Sequence, residues 1–417
     1  MREERTEVLV VGAGPVGLLT AILLAEGGIE TRIIDREERT TVRSYACALH
    51  PRTLKLLERM GLAGPILERG RRIEKIAFYD GATRRAEVKL SELGGPFPFM
   101  VILPQNDFED VLEQRLRKAG VAVNWNHRFS DLQSEGDTVV ATVEELGATA
   151  SGYIVPHWET VVKRSMPVRA RFLVGADGYG SLVRERLGIE STRVAGPEFF
   201  AAYEFEPEEK VEDEVRVVLE PSTTNVLWPL PGNRCRWTFQ LLKSEMASEF
   251  PEKERRGARV AQATVDERIR QYVEKVAKQR APWFSAGVKE ITWCTEVVFE
   301  HRVAQQFGRD RCWLAGDAAH QTGPVGVQSM NVGMAEAASL AGALRRVLRE
   351  QAPLHLLETC DREWRAEWRR LLGLTGGLKP RKETSPWVQE RRGRILSCLP
   401  ASHEDLGPLA GQLGLDV

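Results

Sequence analysis

The sequence predicts an α/β fold with an inserted, mainly antiparallel β domain and a helical C-terminal segment. Near the N-terminus, a run of apolar residues leads into a glycine-rich turn, which is typical of a strand followed by a helix. Between about residues 191 and 284, strand-like segments with alternating polar and apolar residues replace that rhythm. After about residue 334, apolar residues recur at helical spacing. Together these patterns predict a β-rich insertion within an α/β framework.

Composition is that of a globular protein. The chain has 417 residues, of which 42% are hydrophobic and 7% aromatic, so it is long enough for more than one domain. A formal net charge of −1 gives no general attraction to nucleic acid or to an acidic membrane. The six cysteines include no Cys-x-x-Cys pair, so we expect no metal site, and scattered cysteines are typical of the reducing cytoplasm. We therefore expect a cytoplasmic protein without nucleic-acid or membrane partners.

The N-terminal segment carries a nucleotide-binding motif. An apolar strand at 7–11 is followed by Gly12-Ala-Gly-Pro-Val-Gly17, which matches G-x-G-x-x-G and opens a helix. Glycines at these positions allow a tight turn, the close approach of a pyrophosphate, and close packing of helix on strand. A second strand ends at Asp35, near the spacing expected for a carboxylate that binds a ribose. The candidate residues of this Rossmann-like site are Gly12, Gly14, Pro15, Val16, Gly17, Asp35 and Arg36. The pattern alone does not separate NAD from FAD.

Two further strands end in glycine turns that carry an aspartate. In Val174-Gly-Ala-Asp-Gly-Tyr-Gly180, Asp177 follows an apolar strand and precedes a helix. In Cys312-Trp-Leu-Ala-Gly-Asp-Ala-Ala-His320, Gly316 and Asp317 occupy the same kind of position. Such a carboxylate can accept hydrogen bonds from a ribose or ribitol, although an Asp-Gly turn also forms without a ligand. Three strand-to-turn sites in one chain favour ligand binding.

The region from 191 to 284 supplies the candidate substrate pocket. Strands are expected at 199–205, 215–219, 225–230 and 234–242, with a charged helix from about 260 to 278. Large apolar residues on two of these strands are pocket candidates, although such residues more often fill a core. The candidates are Leu227, Trp228, Pro229, Trp237 and Phe239.

With these motifs in this order, the chain resembles the FAD-dependent aromatic hydroxylases of the para-hydroxybenzoate hydroxylase type, which are group A flavoprotein monooxygenases. The resemblance covers about residues 5 to 375 and rests on the G-x-G-x-x-G motif, on Asp177-Gly178 with Ser181 and Arg184, and on Gly316-Asp317. It implies that FAD is the cofactor. The residues that it implies around FAD are Gly12, Gly14, Pro15, Val16, Gly17, Asp35, Arg36, Arg43, Gln105, Asp177, Gly316, Asp317, Pro324, Gly326, Val327, Ser329, Met330 and Asn331.

The resemblance also implies individual roles for several of these residues. Asp35 would hold the adenosine ribose, and Asp317 would bind the ribitol. Asp177 would serve both FAD and the nicotinamide cofactor. Arg43 and Gln105 would touch FAD.

The implied reaction is the hydroxylation of an aromatic or polyketide-like small molecule by a flavin-dependent monooxygenase. NAD(P)H reduces the flavin, O₂ forms a C4a-hydroperoxide, and this species transfers one oxygen atom to an electron-rich ring. Residues 324–331 would lie along the flavin ring, where Pro324 would orient the substrate, and residues 225–241 would floor the pocket. No other side chain is assigned a catalytic role. The protein is expected to be a monomer or a homodimer.

The expected domains are discontinuous. The FAD-binding domain comprises residues 1–72, 98–190 and 285–350, the substrate-binding domain comprises residues 73–97 and 191–284, and the C-terminal helical segment comprises residues 351–417. An apolar stripe in this last segment, which includes Trp364 and Trp368, is expected to pack on the body of the protein rather than on a membrane.

Two positions depart from the family pattern. The flavin-facing turn usually reads Gly-Gly-Gln-Gly-Met-Asn, whereas this chain has Gly326-Val-Gln-Ser-Met-Asn331. Since a β-branched residue is disfavoured at positive φ, either Val327 keeps a negative φ or the flavin sits differently. Two alternatives to the hydroxylase stay open: another flavin oxidoreductase of the same fold, and an FAD-binding protein without hydroxylase activity. A halogenase is disfavoured because the chain has no Trp-x-Trp-x-Ile-Pro segment.

Overall fold

Two large β-sheets form the framework of the protein. The structure is a computed structural model, and it describes residues 4–41, 46–151, 157–242 and 262–417. The architecture is mixed α/β, with a parallel sheet and a helical C-terminus. The predicted fold class is therefore confirmed.

The strands and helices of the described residues have the following bounds. The strands are β1 (Glu4–Val11), β2 (Thr31–Ile34), β3 (Ala48–Leu49), β4 (Arg71–Ile73), β5 (Lys75–Asp80), β6 (Thr83–Lys89), β7 (Met100–Ile102), β8 (Val123–Asn124), β9 (His127–Glu135), β10 (Thr138–Ser151), β11 (His157–Gly175), β12 (Ser191–Arg193), β13 (Glu198–Glu206), β14 (Val215–Leu219), β15 (Thr224–Leu230), β16 (Arg234–Leu241), β17 (Glu290–Phe299), β18 (Arg302–Ala304), β19 (Gly308–Arg309), β20 (Cys312–Leu314), β21 (His320–Gln321), β22 (Lys379–Pro380) and β23 (Leu415–Asp416). The helices are α1 (Pro15–Glu26), α2 (Pro51–Arg59), α3 (Ala63–Arg69), α4 (Gln105–Lys118), α5 (Leu182–Arg186), α6 (Gln262–Arg280), α7 (Gln328–Arg349), α8 (His355–Leu371), α9 (Pro386–Cys398) and α10 (Leu406–Gly411). Short 3₁₀ turns cover Leu90–Glu92, Gly316–Ala318 and His403–Asp405.

The first sheet brings the three glycine turns to one edge. Its described strands run in the order β19-β20-β11-β1-β2-β8, and β10 and β9 extend it from β11. Strands β20, β11, β1, β2 and β8 pair in parallel, so their carboxyl ends lie at the same edge. In this register Val11 pairs with Gly175, and Gly175 pairs with Leu314. Three strands therefore end level with one another.

Helix α1 follows β1 directly and is buried on almost every side. It packs against α4 and α7, and its apolar residues, among them Leu18 and Ile22, belong to the same core cluster as Met334 and Leu344 of α7. A helix that is covered all round needs no polar face, which explains why this segment is apolar along nearly its whole length.

The second sheet is mainly antiparallel and is covered on one face by α6. Its described strands run in the order β17-β13-β16-β15-β14-β5-β6, and the pair β14–β5 is parallel. Val273 and Ala277 of α6 join the core cluster that contains Trp237 and Phe239. Strand β17 pairs with β13 of this sheet, although residues 285–350 are expected to belong to the FAD-binding domain. The division of the chain into domains stays a prediction.

The C-terminal helices pack back onto both sheets. Trp364, Trp368 and Leu371 of α8 are buried in the main core cluster, so the apolar stripe faces the body of the protein as expected. None of the helices in the described residues combines the length and the hydropathy that crossing a bilayer requires.

Gly12→Ala should destabilise the protein where β1 meets the turn after β11. A Cβ at position 12 would lie 2.2 Å from the carbonyl oxygen of Ala176, and the φ angle of Gly12 is +104°. Since neither backbone can move without disturbing the sheet, we expect the free energy of unfolding in urea to fall by about 3 kcal/mol or more. Gly14→Ala is the matched control, because a Cβ there has nothing within 4 Å. It should cost at most about 1 kcal/mol, and equal losses in the two variants would contradict this account.

Candidate functional site

The three glycine turns predicted from the sequence meet at the carboxyl edge of the first sheet. Gly12 lies so close to the turn after β11 that its missing Cβ would be 2.9 Å from the Cα of Asp177. On the other side, a Cβ at Gly316 would lie 3.0 Å from Cγ2 of Val16. In open α/β sheets, ligands bind outside this edge. The structure therefore assembles one site from segments more than 300 residues apart in sequence.

The first turn is held by Asp35 and leaves the N-terminus of α1 open. Oδ2 of Asp35 accepts a hydrogen bond from the backbone N–H of Ala13 at 2.6 Å, and Oδ1 accepts one from Glu37 at 2.9 Å. Among the described residues no side chain caps α1, and its first turn has no acidic residue. Free N–H groups and the positive end of the helix dipole can therefore bind an anion such as a pyrophosphate. Arg36 is exposed, with Nε 3.4 Å from Glu37.

Gln105 and Glu109 on α4 hold both sides of the segment that contains Arg43, which itself lies outside the described residues. Oε1 of Gln105 accepts from the N–H of Ala46 at 3.0 Å, and Oε2 of Glu109 accepts from the N–H of Thr41 at 2.9 Å. Gln105 also donates to Oε1 of Glu109 at 2.8 Å. Burial of Glu109 raises the pKa of its carboxyl to about 7.

Sequence reasoning missed Glu109, although a signal was available. Phe108 and Val111 mark the buried face of α4, and Glu109 interrupts that face one helical turn after Gln105. A carboxylate on an apolar face is a candidate for a specific polar partner.

Asp177 serves its own helix in this structure. Oδ1 accepts from the hydroxyl of Ser181 at 2.6 Å, and Oδ2 accepts from the N–H of Val183 at 3.1 Å. Burial raises the pKa of Asp177 above its ordinary value, which these hydrogen bonds partly oppose. Nη1 of Arg184 donates to the carbonyl oxygen of Ala318 at 2.7 Å and so links this turn to the Gly316-Asp317 turn.

Asp317 lies beside a buried polar cluster. Burial raises the pKa of Asp317, while His320 and the hydroxyl of Ser329 act in the opposite direction. Oγ of Ser329 also accepts from the N–H of Thr322 at 3.1 Å, so the side chain that replaces the usual glycine is tied into the turn. His320 donates from Nε2 to Glu336 at 2.6 Å and stacks on Trp368 with ring centroids 3.6 Å apart. These contacts suit a structural histidine.

Val327 adopts the left-handed conformation, with φ +51° and ψ +34°. The first alternative from the sequence, a turn with negative φ at this position, is therefore wrong. A β-branched residue in this region of φ/ψ space is strained by about 1–2 kcal/mol. Such strain persists only where the surrounding contacts determine the backbone.

The side chain of Asn331 makes hydrogen bonds that fix the backbone around Val327. Its Nδ2 group donates to the carbonyl oxygens of Val327 at 2.8 Å and Ala48 at 2.9 Å. Its Oδ1 accepts from the N–H of His50 and from the hydroxyl of Thr53, each at 2.8 Å. Because Asn331 is buried, all four bonds are shielded from water. The turn before α7 is therefore fastened to β3 and α2.

Gly326, next to Val327, is fixed from two further directions. Its carbonyl oxygen accepts a hydrogen bond at 2.8 Å from Nε2 of His50, a side chain whose burial lowers its pKa to about 4. A Cβ on Gly326 would lie 2.1 Å from the carbonyl oxygen of Ser397 in α9. This position therefore admits only glycine.

The residues at the sheet edge fit the chemistry of FAD. Asp35, Asp177 and Asp317 supply carboxylates that can accept hydrogen bonds from ribose and ribitol hydroxyls. The uncapped start of α1 supplies N–H donors for phosphate, and Gly14 leaves open space above that turn. Met330 packs between the two core clusters behind the turn. This arrangement can bind a dinucleotide without a metal ligand set, and the described residues contain no such set.

A small cavity of about 30 Å³ lies between the second sheet and the Val327 turn. It is lined by Cys47, Phe200, Ala202, Trp228, Arg236, Thr238, Trp293, Thr295, Val297, Phe299, Pro324 and Val327. Four of these are aromatic, and two of them, Phe200 and Phe299, meet edge to face with centroids 5.9 Å apart. An aromatic lining beside Pro324 and Val327 suits a planar apolar ligand, and the walls must move apart to admit one.

Strand alternation decides which predicted pocket residues reach this cavity. Trp228 lines it, whereas Leu227, Trp237 and Phe239 point to the opposite face of the sheet and fill the core under α6. Pro229 is buried in β15 and is not among the lining residues of the described chain. Three of the predicted pocket residues therefore fill the core under α6, and Arg236 and Thr238, which alternate with Trp237 and Phe239 along β16, face the cavity.

The cavity wall contains a buried ion pair that the sequence did not reveal. Arg236 and Glu204 are both buried, and Nε of Arg236 donates to Oε1 of Glu204 at 3.1 Å. The guanidinium also lies over the ring of Trp293, 5.5 Å from its centroid. A buried ion pair seldom stabilises a fold better than apolar residues of the same size, so its position at a cavity wall favours a role in ligand binding.

Comparison with known proteins places these features in a family. Residues 5–373 match the family model described as FAD binding domain. The chain is 31% identical over 371 residues to 6-methylpretetramide 4-monooxygenase of Streptomyces rimosus. The aligned region covers 88% of this chain and 61% of that protein. The chain thus spans about three fifths of the length of that relative.

Two solved structures share the fold. p-Nitrophenol 4-monooxygenase from Pseudomonas putida aligns with a TM-score of 0.73 at 24% identity, over 98% of this chain and 97% of that chain. Aklavinone-11 hydroxylase, solved in a ternary complex with FAD and aklavinone, aligns with a TM-score of 0.69 at 25% identity, over 88% of this chain and 67% of that chain.

Replacing Val327 by glycine should destabilise the protein less than replacing it by alanine, although glycine is usually the more destabilising replacement for a buried valine. Alanine keeps a Cβ at φ +51°, whereas glycine loses both the side chain and the strain. We expect Val327→Gly to be more stable than Val327→Ala by about 1 kcal/mol in urea unfolding. Val325, a buried valine in the same turn without positive φ, provides the control, and its alanine variant should be the more stable one. The same order at both positions would contradict strain at Val327.

Glu109→Gln should remove a loss of stability that the natural protein shows between acid and neutral pH. The folded-state pKa of about 7 exceeds the ordinary value of 4.5, so the folded protein holds this proton more tightly than the unfolded chain. The natural protein therefore loses stability as the pH rises from about 4.5 to about 7, whereas an amide does not titrate. Between pH 4.5 and 8, the difference in unfolding free energy between variant and natural protein should grow by about 3 kcal/mol, measured without added FAD. A constant difference would rule out this shift.

Proposed function

Since the chain belongs to the FAD binding domain family, and within it to the FAD-dependent aromatic hydroxylases of the group A type, we propose that it is a monooxygenase that uses NAD(P)H and O₂ to hydroxylate an aromatic small molecule. One observation carries the proposal. The aromatic cavity ends at Pro324 and Val327, on the turn that connects it to the edge where the three glycine turns meet.

The proposed cofactor contacts follow the geometry of that edge. The N-terminus of α1 binds the pyrophosphate, and Asp35 accepts a hydrogen bond from the adenosine ribose. Asp317 accepts a hydrogen bond from the ribitol, while Ser329 orients its carboxylate. A carboxylate has about four acceptor positions, so Asp35 can keep its two backbone hydrogen bonds and still bind a hydroxyl.

The chain's own contribution to the reaction is to hold the substrate and to exclude water. When bound, FAD is reduced by NAD(P)H and activates O₂, so that one oxygen atom enters the aromatic ring and the other leaves as water. The walls formed by Phe200, Trp228 and Phe299 hold the ring and keep the cavity dry. Arg236, anchored by Glu204, donates a hydrogen bond to an oxygen substituent of the substrate. Pro324 sets the distance between the ring and the cofactor.

An FAD-binding protein without hydroxylase activity is the second candidate. It is favoured by Val327 and Ser329, which place side chains where the usual family pattern has glycine. The two candidates share the cofactor and differ in the response to an aromatic compound.

The proposed activity is tested by loading the purified protein with FAD and following NADPH, NADH and O₂ consumption with 4-nitrophenol and 2-naphthol. A hydroxylase consumes reduced cofactor faster when a phenol is present and yields a product heavier by one oxygen atom. An FAD-loaded protein whose consumption never responds to these or other phenols would favour the second candidate. Failure to bind FAD at all would refute both.

Gly14→Ala should weaken FAD binding by about tenfold or more while leaving the fold intact. A methyl group at position 14 would occupy the space through which the backbone approaches the pyrophosphate. The dissociation constant can be measured by the quenching of flavin fluorescence. Gly342→Ala is the matched control, because a Cβ there also has nothing within 4 Å and the residue lies several turns inside α7, away from the start of α1. Unchanged affinity in Gly14→Ala would contradict the proposed position of the pyrophosphate.

A further inference from the structure

We propose that Val327 limits the size of the substrate and restricts the cavity to phenols with a single ring. The inference rests on the proposed function and narrows its substrate class. Glycine, which the usual family pattern has at this position, would carry no side chain into this end of the pocket, whereas this chain has an isopropyl group there. Fused-ring substrates would meet that group before they reached the flavin.

The first argument is energetic. Val327 holds φ +51°, a backbone conformation that is strained for a residue with a Cβ and readily adopted by glycine. Val327 is buried in the main core cluster, and glycine would remove the strain. A strained side chain beside a ligand cavity is more readily explained by a role in that cavity than by stability.

The second argument is position. Val327 lines the cavity together with Pro324. Both residues belong to the turn that leads into α7. The remaining walls come mainly from the second sheet and include Trp228 and Phe299. The side chain therefore stands between the aromatic walls and the cofactor edge, where it limits how far a ring can extend.

The third argument is rigidity. The carbonyl oxygen of Val327 is held by Asn331 at 2.8 Å, and that of Gly326 by His50 at 2.8 Å. Close contact with Ser397 prevents Gly326 from moving outward. A valine side chain also has few χ1 states. The isopropyl group can therefore neither swing away with the backbone nor rotate out of the cavity.

The cavity volume agrees with a tight limit on substrate size. It is about 30 Å³, far below the range of about 300–1,000 Å³ that is usual for ligand sites, so the walls must move apart even for one ring and further still for a fused-ring system. Removing two methyl groups from one wall enlarges the space at the end where a second ring would lie. In an apolar pocket, a change of one methylene alters binding about 10–200-fold.

The test compares equilibrium binding of 4-nitrophenol and 2-naphthol to the FAD-loaded protein, read from the change in flavin absorbance without NADPH. We expect the ratio of the two dissociation constants to shift by about tenfold or more in favour of 2-naphthol in Val327→Ala and in Val327→Gly. Val327→Thr, which keeps the shape of the side chain, should leave the ratio unchanged. Val325→Ala removes the same volume from the same turn outside the cavity lining and should also leave it unchanged.

Each outcome decides the proposal. A ratio that stays within about twofold in both Val327→Ala and Val327→Gly, with both phenols bound, overturns the size limit and leaves the proposed function standing. An equal shift in Val325→Ala overturns it too, because the effect would then come from loosening the turn. If neither phenol binds to any variant that holds FAD, the proposed substrate class fails and the size limit fails with it.

Discussion

The close backbone contact between Gly12 and the turn after β11 is the constraint on which the rest of the site depends. No side chain fits between Gly12 and Ala176, so β1 and β11 must end level with each other. Because β1 and β11 end at the same level, the start of α1 and the position of Asp177 are fixed relative to each other. The contact between Val16 and Gly316 repeats the arrangement on the other side. Because these contacts are steric, they persist whether or not the neighbouring carboxylates are ionised.

The two faces of the second sheet have different environments. Trp237 and Phe239 anchor α6 on one face, while Arg236 and Thr238, which alternate with them along β16, face the cavity. The face under α6 is packed with apolar side chains, whereas the other face carries the buried pair of Arg236 and Glu204. The same strand therefore contributes to the core on one face and to the cavity wall on the other.

The sequence predicted the fold class and the meeting of the three turns because glycine motifs at strand ends encode local backbone geometry. It could not choose the cavity face of β16, since a shift of one residue exchanges the two faces. It also left open the conformation of Val327. That angle is decided by Asn331, which is held by Ala48, His50 and Thr53, nearly 300 residues earlier in the chain. Spacing within a motif carries no information about such distant contacts.

The protein concentrates its unfavourable interactions where it is proposed to bind ligands. Burial raises the pKa of Asp177, Asp317 and Glu109, and the strained backbone of Val327 lies in the turn that separates Asp317 from α7. Hydroxyl groups of a bound dinucleotide would donate to these carboxylates and offset the cost of their burial. Since a ligand that binds only the folded state stabilises it, folding and cofactor binding are coupled. The steric contacts at Gly12 must therefore hold the site in shape before the cofactor arrives.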